Sequence, residues 1–210
     1  MLKKCLFLLV ALILVVPFPS YSNTEVLDQI TLAQKATYNL QRDGDSFCTA
    51  FVVKSLNGVK FISAGHCAKD QSKTYAAYDW RNNVTIKLKL LKFEDQWPSA
   101  DYSVWEMVEP KLIPALPMSQ TVPRIGDRVY GFVGPMSMVP FFITGVFSGI
   151  AWVSDKPEAE INGMFVVSLI GAPGASGSPV IDQHGYVWGI LVGGSRDIQG
   201  TVLVVKVPRV

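Results

Sequence analysis

The sequence predicts an all-β protein, a sandwich or barrel arrangement in two halves, and three observations carry that expectation. Short runs rich in Val, Ile, Phe and Tyr recur along the 210 residues, at 49–53, 59–63, 84–93, 102–107, 128–133, 142–153, 164–169, 179–181, 186–192 and 201–207. Gly, Pro, Asn or Asp separate them, the residues that turn a chain between strands. Helical periodicity is confined to one stretch near the start.

At the N-terminus, Lys3 and Lys4 precede an unbroken apolar run of 12 residues, Cys5 to Val16, and residues 17–22 end in the small-x-small pattern Ser20-Tyr21-Ser22. A charged n-region, an apolar stretch and a small-residue cleavage site describe a secretory signal peptide, cut before Asn23. A membrane span takes about 20 apolar residues, more than this run supplies. The product is therefore expected to be exported, periplasmic or secreted, with no stable membrane span once residues 1–22 are removed. That removal takes two lysines and no acid, so 17 basic residues face 17 acidic ones in the mature chain. A nucleic-acid binder concentrates basic charge on one face, and no lysine or arginine run is present, so that class is set aside.

Residues 24–40 carry Val26, Leu27, Ile30, Leu32, Ala33 and Ala36 at near-helical spacing and are expected to form the one helix. The β-rich N-terminal half, 23–109, then supplies a candidate base. His66 follows the strand run ending at Ser63 and is bonded to Cys67. Cys5 leaves with the signal, so Cys48 and Cys67 remain as an even pair in an exported chain, where a disulfide is expected. It would close a loop of about 20 residues, worth on the order of 3 kcal/mol if chain entropy sets its effect. It would also hold the backbone beside the imidazole. Neither cysteine has a CxxC partner or a second histidine near it, so no metal site is expected. The other histidine lies in Asp182-Gln183-His184-Gly185, a hairpin turn by composition.

A histidine base needs a third group to hold its tautomer and to stabilise the imidazolium that forms. Asp101 is the candidate, at the entry to the alternating run 102–107, where a carboxylate is able to be buried and aimed. Asp70, Asp79, Asp95, Asp127 and Asp155 also fall between His66 and Ser176, each in a charged or turn-like context that points to solvation, with Asp95 as the fallback.

Pro110, Pro114, Pro117 and Pro123 lie in a stretch with few charges, unsuited to a sheet interior, so 110–123 reads as a connector to a second half at 124–210. That half contains Gly174-Ala175-Ser176-Gly177-Ser178-Pro179. A serine hydroxyl is a poor nucleophile unless an adjacent base takes its proton, and His66 is such a base. The flanking glycines permit a tight turn whose backbone N–H groups stabilise a developing oxyanion. The order His, Asp, Ser completes a nucleophilic constellation. Trp80, Trp97, Trp105, Trp152 and Trp188 are scattered and read as packing residues. No phosphate loop or glycosidase-type carboxylate pair is visible, and no cofactor is expected. Only 31 residues follow Pro179, so no appended binding module is expected.

These residues resemble the chymotrypsin-fold (trypsin-like) serine proteases over 40–207. The likeness is strongest to bacterial HtrA-type and glutamyl-endopeptidase-type members, here without a PDZ domain. It is carried by Gly126-Asp127-Arg128-Val129, Thr144-Gly145-Val146-Phe147-Ser148-Gly149 and the Gly-x-Ser-Gly-Ser-Pro signature. The resemblance implies two six-stranded antiparallel β-barrels with the active site in the cleft between them. It implies Ser176 as nucleophile, His66 as general base then acid, Asp101 as orienter, and the N–H groups of Gly174 and Ser176 as oxyanion hole. Cys48 and Cys67 match the family's bridge beside the histidine. Ile170, six residues before the nucleophile, would lie near the floor of the primary pocket, and Val192, Gly193 and Gly194 match the edge segment that pairs with substrate backbone.

Two departures from the family pattern matter. Ala175 stands where members activated by proteolysis carry an aspartate that pairs with a freed N-terminus. No acid stands at 170 and no histidine at 189–194, so an aliphatic or small aromatic side chain is expected in the pocket. The function implied is an exported serine endopeptidase acting on protein or peptide substrates through an acyl-enzyme. The alternatives are a catalytically inactive protease-fold binding protein and a hydrolase confined to esters.

Overall fold

Strand alternation organises the first half of the chain. In the computed structural model, which describes residues 23–96, 100–134, 138–151, 164–194 and 200–210, six strands close an antiparallel barrel. They are β1 (Thr37–Arg42), β2 (Asp45–Ser55), β3 (Gly58–Ser63), β4 (Tyr75–Asp79), β5 (Val84–Gln96) and β6 (Ala100–Met107), in the spatial order β1-β2-β3-β6-β5-β4. In β4 the side chains of Tyr75, Ala77 and Asp79 point inward, and in β5 those of Ile86 and Leu88, the two-residue period of a half-buried strand. β2 is instead buried continuously from Cys48 to Val53. Its far side is covered by the helix and by the connector, with the Val52 N–H donating to Ala36 O and the Leu116 N–H to Val52 O. Trp105, Phe51, Phe61, Ile62 and Leu40 fill this barrel, each worth roughly 1.5–3 kcal/mol on full burial.

The second half repeats the plan with β7 (Arg128–Val133), β8 (Phe141–Ala151), β9 (Met164–Ser168), β10 (Pro179–Asp182), β11 (Val187–Gly194) and β12 (Val202–Lys206), closed in the order β10-β11-β12-β9-β8-β7. Its centre is an aromatic cluster in which Trp188 meets Phe147 and Phe165 edge-on, with ring centroids 5.5 Å apart in each pair. A separate apolar cluster joins the two barrels: Phe132, Ile181, Val187, Ile190 and Val192 of the second pack with the buried side chains of the first. That contact fixes the position of one barrel against the other.

The structure corrects the sequence expectation at several points. The helix, α1 (Asn23–Lys35), stops before residue 40, and Thr37 to Leu40 belong to β1. β-branched and aromatic Thr37 and Tyr38 pair there with Phe51 and Ala50 of β2, and Asn39 to Arg42 pair with β4 as well, which outweighs the weak helical period. β1 and β4 are additional to the ten strands expected. Asp79 is buried rather than solvated: Arg81 pairs with it at 2.7 Å and Asn82 donates to it at 2.8 Å. Burial alone would raise its pKa, but those donors outweigh burial and hold it below the usual value. Arg81 also donates to Gln34 O of α1, so this cluster clasps the helix to the barrel. The proline-rich stretch between the barrels packs on both of them: Ala115 and Leu116 are buried, and bridges join Leu116 to Val53 and Met118 to Val187. Trp105 and Trp188 are core residues and Trp80 is half-buried, whereas Trp97, Trp152, Asp155 and the signal segment lie outside the described residues. Among the described residues no helix is long and apolar enough to cross a membrane.

Candidate active site

Local constraints at the end of β3 set the direction of His66. The chain turns there into a 3-10 helix, Gly65–Ala68. Position 65 has no room for a side chain: a Cβ would collide with the Glu94 carbonyl oxygen and stand 2.8 Å from the Tyr102 nitrogen. The carbonyl of Ala64 accepts a hydrogen bond from the buried Ser103 hydroxyl at 3.0 Å, and that hydroxyl in turn accepts the Trp105 indole N–H at 2.9 Å. On the other side of His66, Cys67 is bonded to Cys48 of β2. The imidazole thus projects from a turn held at both ends.

Asp101 enters from β6 and is almost wholly buried. Its Oδ1 accepts the main-chain N–H of His66 at 2.8 Å, and its Oδ2 lies 2.8 Å from His66 Nδ1. A carboxylate accepts, so Nδ1 carries the proton and the Nε2 lone pair is left for another partner. The ring side chain is 31% exposed against 3% for the carboxylate, so the imidazole reaches solvent while its partner is shut away. Asp95 pairs instead with Lys69 at 2.7 Å, which raises the Lys69 pKa, chiefly through that hydrogen bond. The ligand atoms of Cys48, His66 and Cys67 lie within 4.8 Å of one another, but sulfurs joined in a disulfide are not thiolates and do not form a metal donor set.

Ser176 stands on the loop between β9 and β10, against the first barrel. Its carbonyl accepts the Thr49 N–H at 2.8 Å, and Thr49 directly follows the bridge cysteine. Gly177 has φ 87, and a Cβ there would collide with Thr49 O and Ser63 Oγ and stand 3.1 Å from Ala64 N. Only glycine lets the loop come this close to the turn that carries His66. Gly174 has φ 92. The N–H groups of Ala175, Gly177 and Ser178 are spent on Ala172 O, Leu191 O and Ala175 O, whereas among the described residues those of Gly174 and Ser176 donate to nothing. The Ser176 hydroxyl makes no hydrogen bond with the imidazole among the described residues, a separation that unliganded sites often show.

The remaining residues singled out in the sequence fall around this loop. β11 is tied to it by the Gly177 N–H on Leu191 O at 2.7 Å and the Leu191 N–H on Ser178 O at 2.9 Å. Val192 is buried at the inter-barrel contact, Gly193 is half-buried and Gly194 is exposed. Ile170 is 65% exposed, while its neighbour Leu169 is buried. A Cβ on Gly171 would stand 2.6 Å from Val202 Cγ1, so the chain at Gly171 lies against β12. His184 occupies the β10–β11 turn, closed by the Gly185 N–H on Asp182 O, and is exposed. Thr49 was not singled out in the sequence, because nothing in its neighbourhood marks a buried strand threonine as a contact across barrels.

The disulfide is expected to matter for both fold and site. Replacing Cys48 and Cys67 by alanine should cost about 2–4 kcal/mol, lowering Tm by roughly 6–15 °C for a chain of this size. Differential scanning calorimetry of the double variant checks this, and an unchanged Tm would contradict it.

Comparison with known proteins agrees with this architecture. The trypsin-like peptidase domain family matches residues 48–190. Among solved structures, Rv3671c from M. tuberculosis H37Rv in an inactive form superposes with a TM-score of 0.69 at 16% identity, covering 93% of this chain and 93% of that one. The serine endoprotease from Yersinia pestis gives 0.69 at 16% identity, covering 89% of this chain and 64% of that one. The HtrA-type protease AlgW with a decapeptide gives 0.67 at 16% identity, covering 86% and 63%. A search of curated proteins finds no match. A family match over most of the chain, on two closed six-stranded barrels, shows that the protein belongs to the trypsin-like peptidases, as a serine endopeptidase of chymotrypsin-like fold.

Proposed function

We propose that the chain is an exported serine endopeptidase in which Ser176 is the nucleophile, His66 the general base and Asp101 its orienter. The observation that carries this reading is the double grip of Asp101 on His66, through the main-chain N–H and through Nδ1, each at 2.8 Å. A base held in that tautomer has Nε2 free to take the Ser176 proton as the hydroxyl attacks a peptide carbonyl. The imidazolium then returns the proton to the leaving amine, and a water activated by the same nitrogen hydrolyses the acyl-enzyme. The N–H groups of Gly174 and Ser176 receive the oxyanion, consistent with their having no other partner among the described residues. A peptide substrate is supported by the decapeptide held by an HtrA-type protein of the same fold.

A fluorophosphonate probe tests the nucleophile. Incubation with the signal-free protein is expected to give one adduct, located by mass on the peptide containing Ser176. An adduct elsewhere, or none, would favour the inactive binding-protein alternative. Cleavage of proteins as well as small esters separates a peptidase from an esterase.

Activation should need no trimming beyond signal removal. Ala175 is fully buried in the second barrel and offers no carboxylate to a freed N-terminus. Protein expressed from Asn23 onward is expected to be active as purified, and a lag that ends with a further N-terminal cut would overturn this. Cleavage of a peptide library should follow aliphatic or small aromatic residues.

A further inference from the structure

Thr49 is fully buried in β2, and its hydroxyl makes contacts that its place in a strand does not require. The hydroxyl donates to Gly174 O at 3.0 Å, and its oxygen accepts the Gly134 N–H at 3.2 Å. The Thr49 N–H holds Ser176 O, and the Thr49 carbonyl accepts the Ser63 hydroxyl at 2.7 Å, so the residue is itself anchored. The two carbonyls it binds, those of Gly174 and Ser176, belong to the two residues whose N–H groups have no partner among the described residues. Among the described residues no other side chain hydrogen-bonds to residues 171–178.

Gly174, at φ 92, has no side chain to resist rotation about its backbone bonds. Its N–H and its carbonyl lie in the two peptide planes that meet at its Cα, so holding the carbonyl plane removes one of the rotations by which the N–H could turn away. A threonine suits this task, because the γ-methyl limits χ1 and keeps the hydroxyl aimed. We propose that Thr49 is a positioning residue for the oxyanion donors. Its hydroxyl fixes Gly174 from the opposite barrel and ties the start of the segment after β7, at Gly134, to the same point. The inference rests on the proposed role of Gly174 and Ser176.

The test compares Thr49→Val, which keeps the shape and removes the hydroxyl, with Thr49→Ser, which keeps the hydroxyl. Each is measured for kcat, KM, the pH midpoint of kcat/KM, Tm and affinity for a peptide aldehyde, whose hemiacetal oxygen occupies the oxyanion position. Losing a donor outright costs ~10²–10³ in rate, so a donor left in place but unrestrained should cost Thr49→Val about 10–100-fold in kcat. KM and the pH midpoint should stay unchanged, and aldehyde affinity should fall in step with kcat. Thr49→Ser should recover most of the loss. Thr49→Val with parental kcat and aldehyde affinity would overturn the proposal, as would a loss expressed in KM or Tm with aldehyde affinity intact. If the parent protein neither turns over peptides nor takes the aldehyde, the peptidase reading itself fails, and this inference with it.

Discussion

Ser176→Ala is expected to abolish peptide hydrolysis, lowering kcat by at least about 10⁴-fold, with KM within a small factor of the parent. Alanine keeps the serine Cβ and removes only the Oγ, so the loop should not move: its geometry is set by Gly177 against Thr49 and Ser63, and by β11 through Leu191. Substrate still binds in the groove, but no acyl-enzyme forms. The residual rate comes from the oxyanion donors and from the imidazole acting on water. The measurement is steady-state kinetics on a peptide substrate together with Tm, which should be unchanged. A variant that retains a tenth of the parental kcat would mean that another group makes the covalent bond.

Asp101→Asn is expected to cost about 10⁴-fold in kcat at neutral pH. The reason is specific to the geometry. Both oxygens of Asp101 accept, one from the His66 main-chain N–H and one at Nδ1. An asparagine has one oxygen and one NH₂, so it satisfies only one of those donors. If the oxygen keeps the main-chain bond, the NH₂ faces Nδ1 and drives the ring into the tautomer with its proton on Nε2, which is then no longer a base. If the amide flips, the main-chain N–H is left buried without a partner, at a cost of about 1–3 kcal/mol. Either way kcat falls, and the second arrangement also lowers Tm. Kinetics and calorimetry on the same preparation distinguish them, and an Asp101→Asn enzyme with near-parental kcat would remove Asp101 from the account.

The residues proposed to carry the chemistry stand out in the sequence because each announces itself locally. His66 follows a strand and adjoins a cysteine, Asp101 opens an alternating run, and Ser176 sits among glycines. The two strands not foreseen were hidden for different reasons. β1 continues directly from α1, so an apolar pattern of helical spacing ran on into it. Its true signal was the pair Asp43-Gly44, which forms a two-residue hairpin turn with φ 52 and 96. β4 puts Ala77 at its central inward position, a residue too small to register as hydrophobic alternation. Asp79 looked solvated beside Arg81 and Asn82, yet those neighbours are what permit its burial. Contacts made across barrels have no local signature at all. Thr49 and Gly174 are 125 residues apart, and only the closure of both barrels brings them together.

The central claim is that the His66 imidazole from one barrel and the Ser176 hydroxyl from the other act on the same carbonyl. A peptide chloromethyl ketone tests this directly. Ser176 adds to its carbonyl, which holds the chloromethylene carbon against Nε2; Nε2 then displaces chloride from that carbon, leaving a permanent alkyl bond on the histidine. The account predicts a single alkylation mapped by mass to His66, formed in the parent protein and slowed at least about 100-fold in Ser176→Ala, in keeping with the loss of proximity. Alkylation of His66 at equal rates in both proteins, or modification at His184 instead, would contradict it.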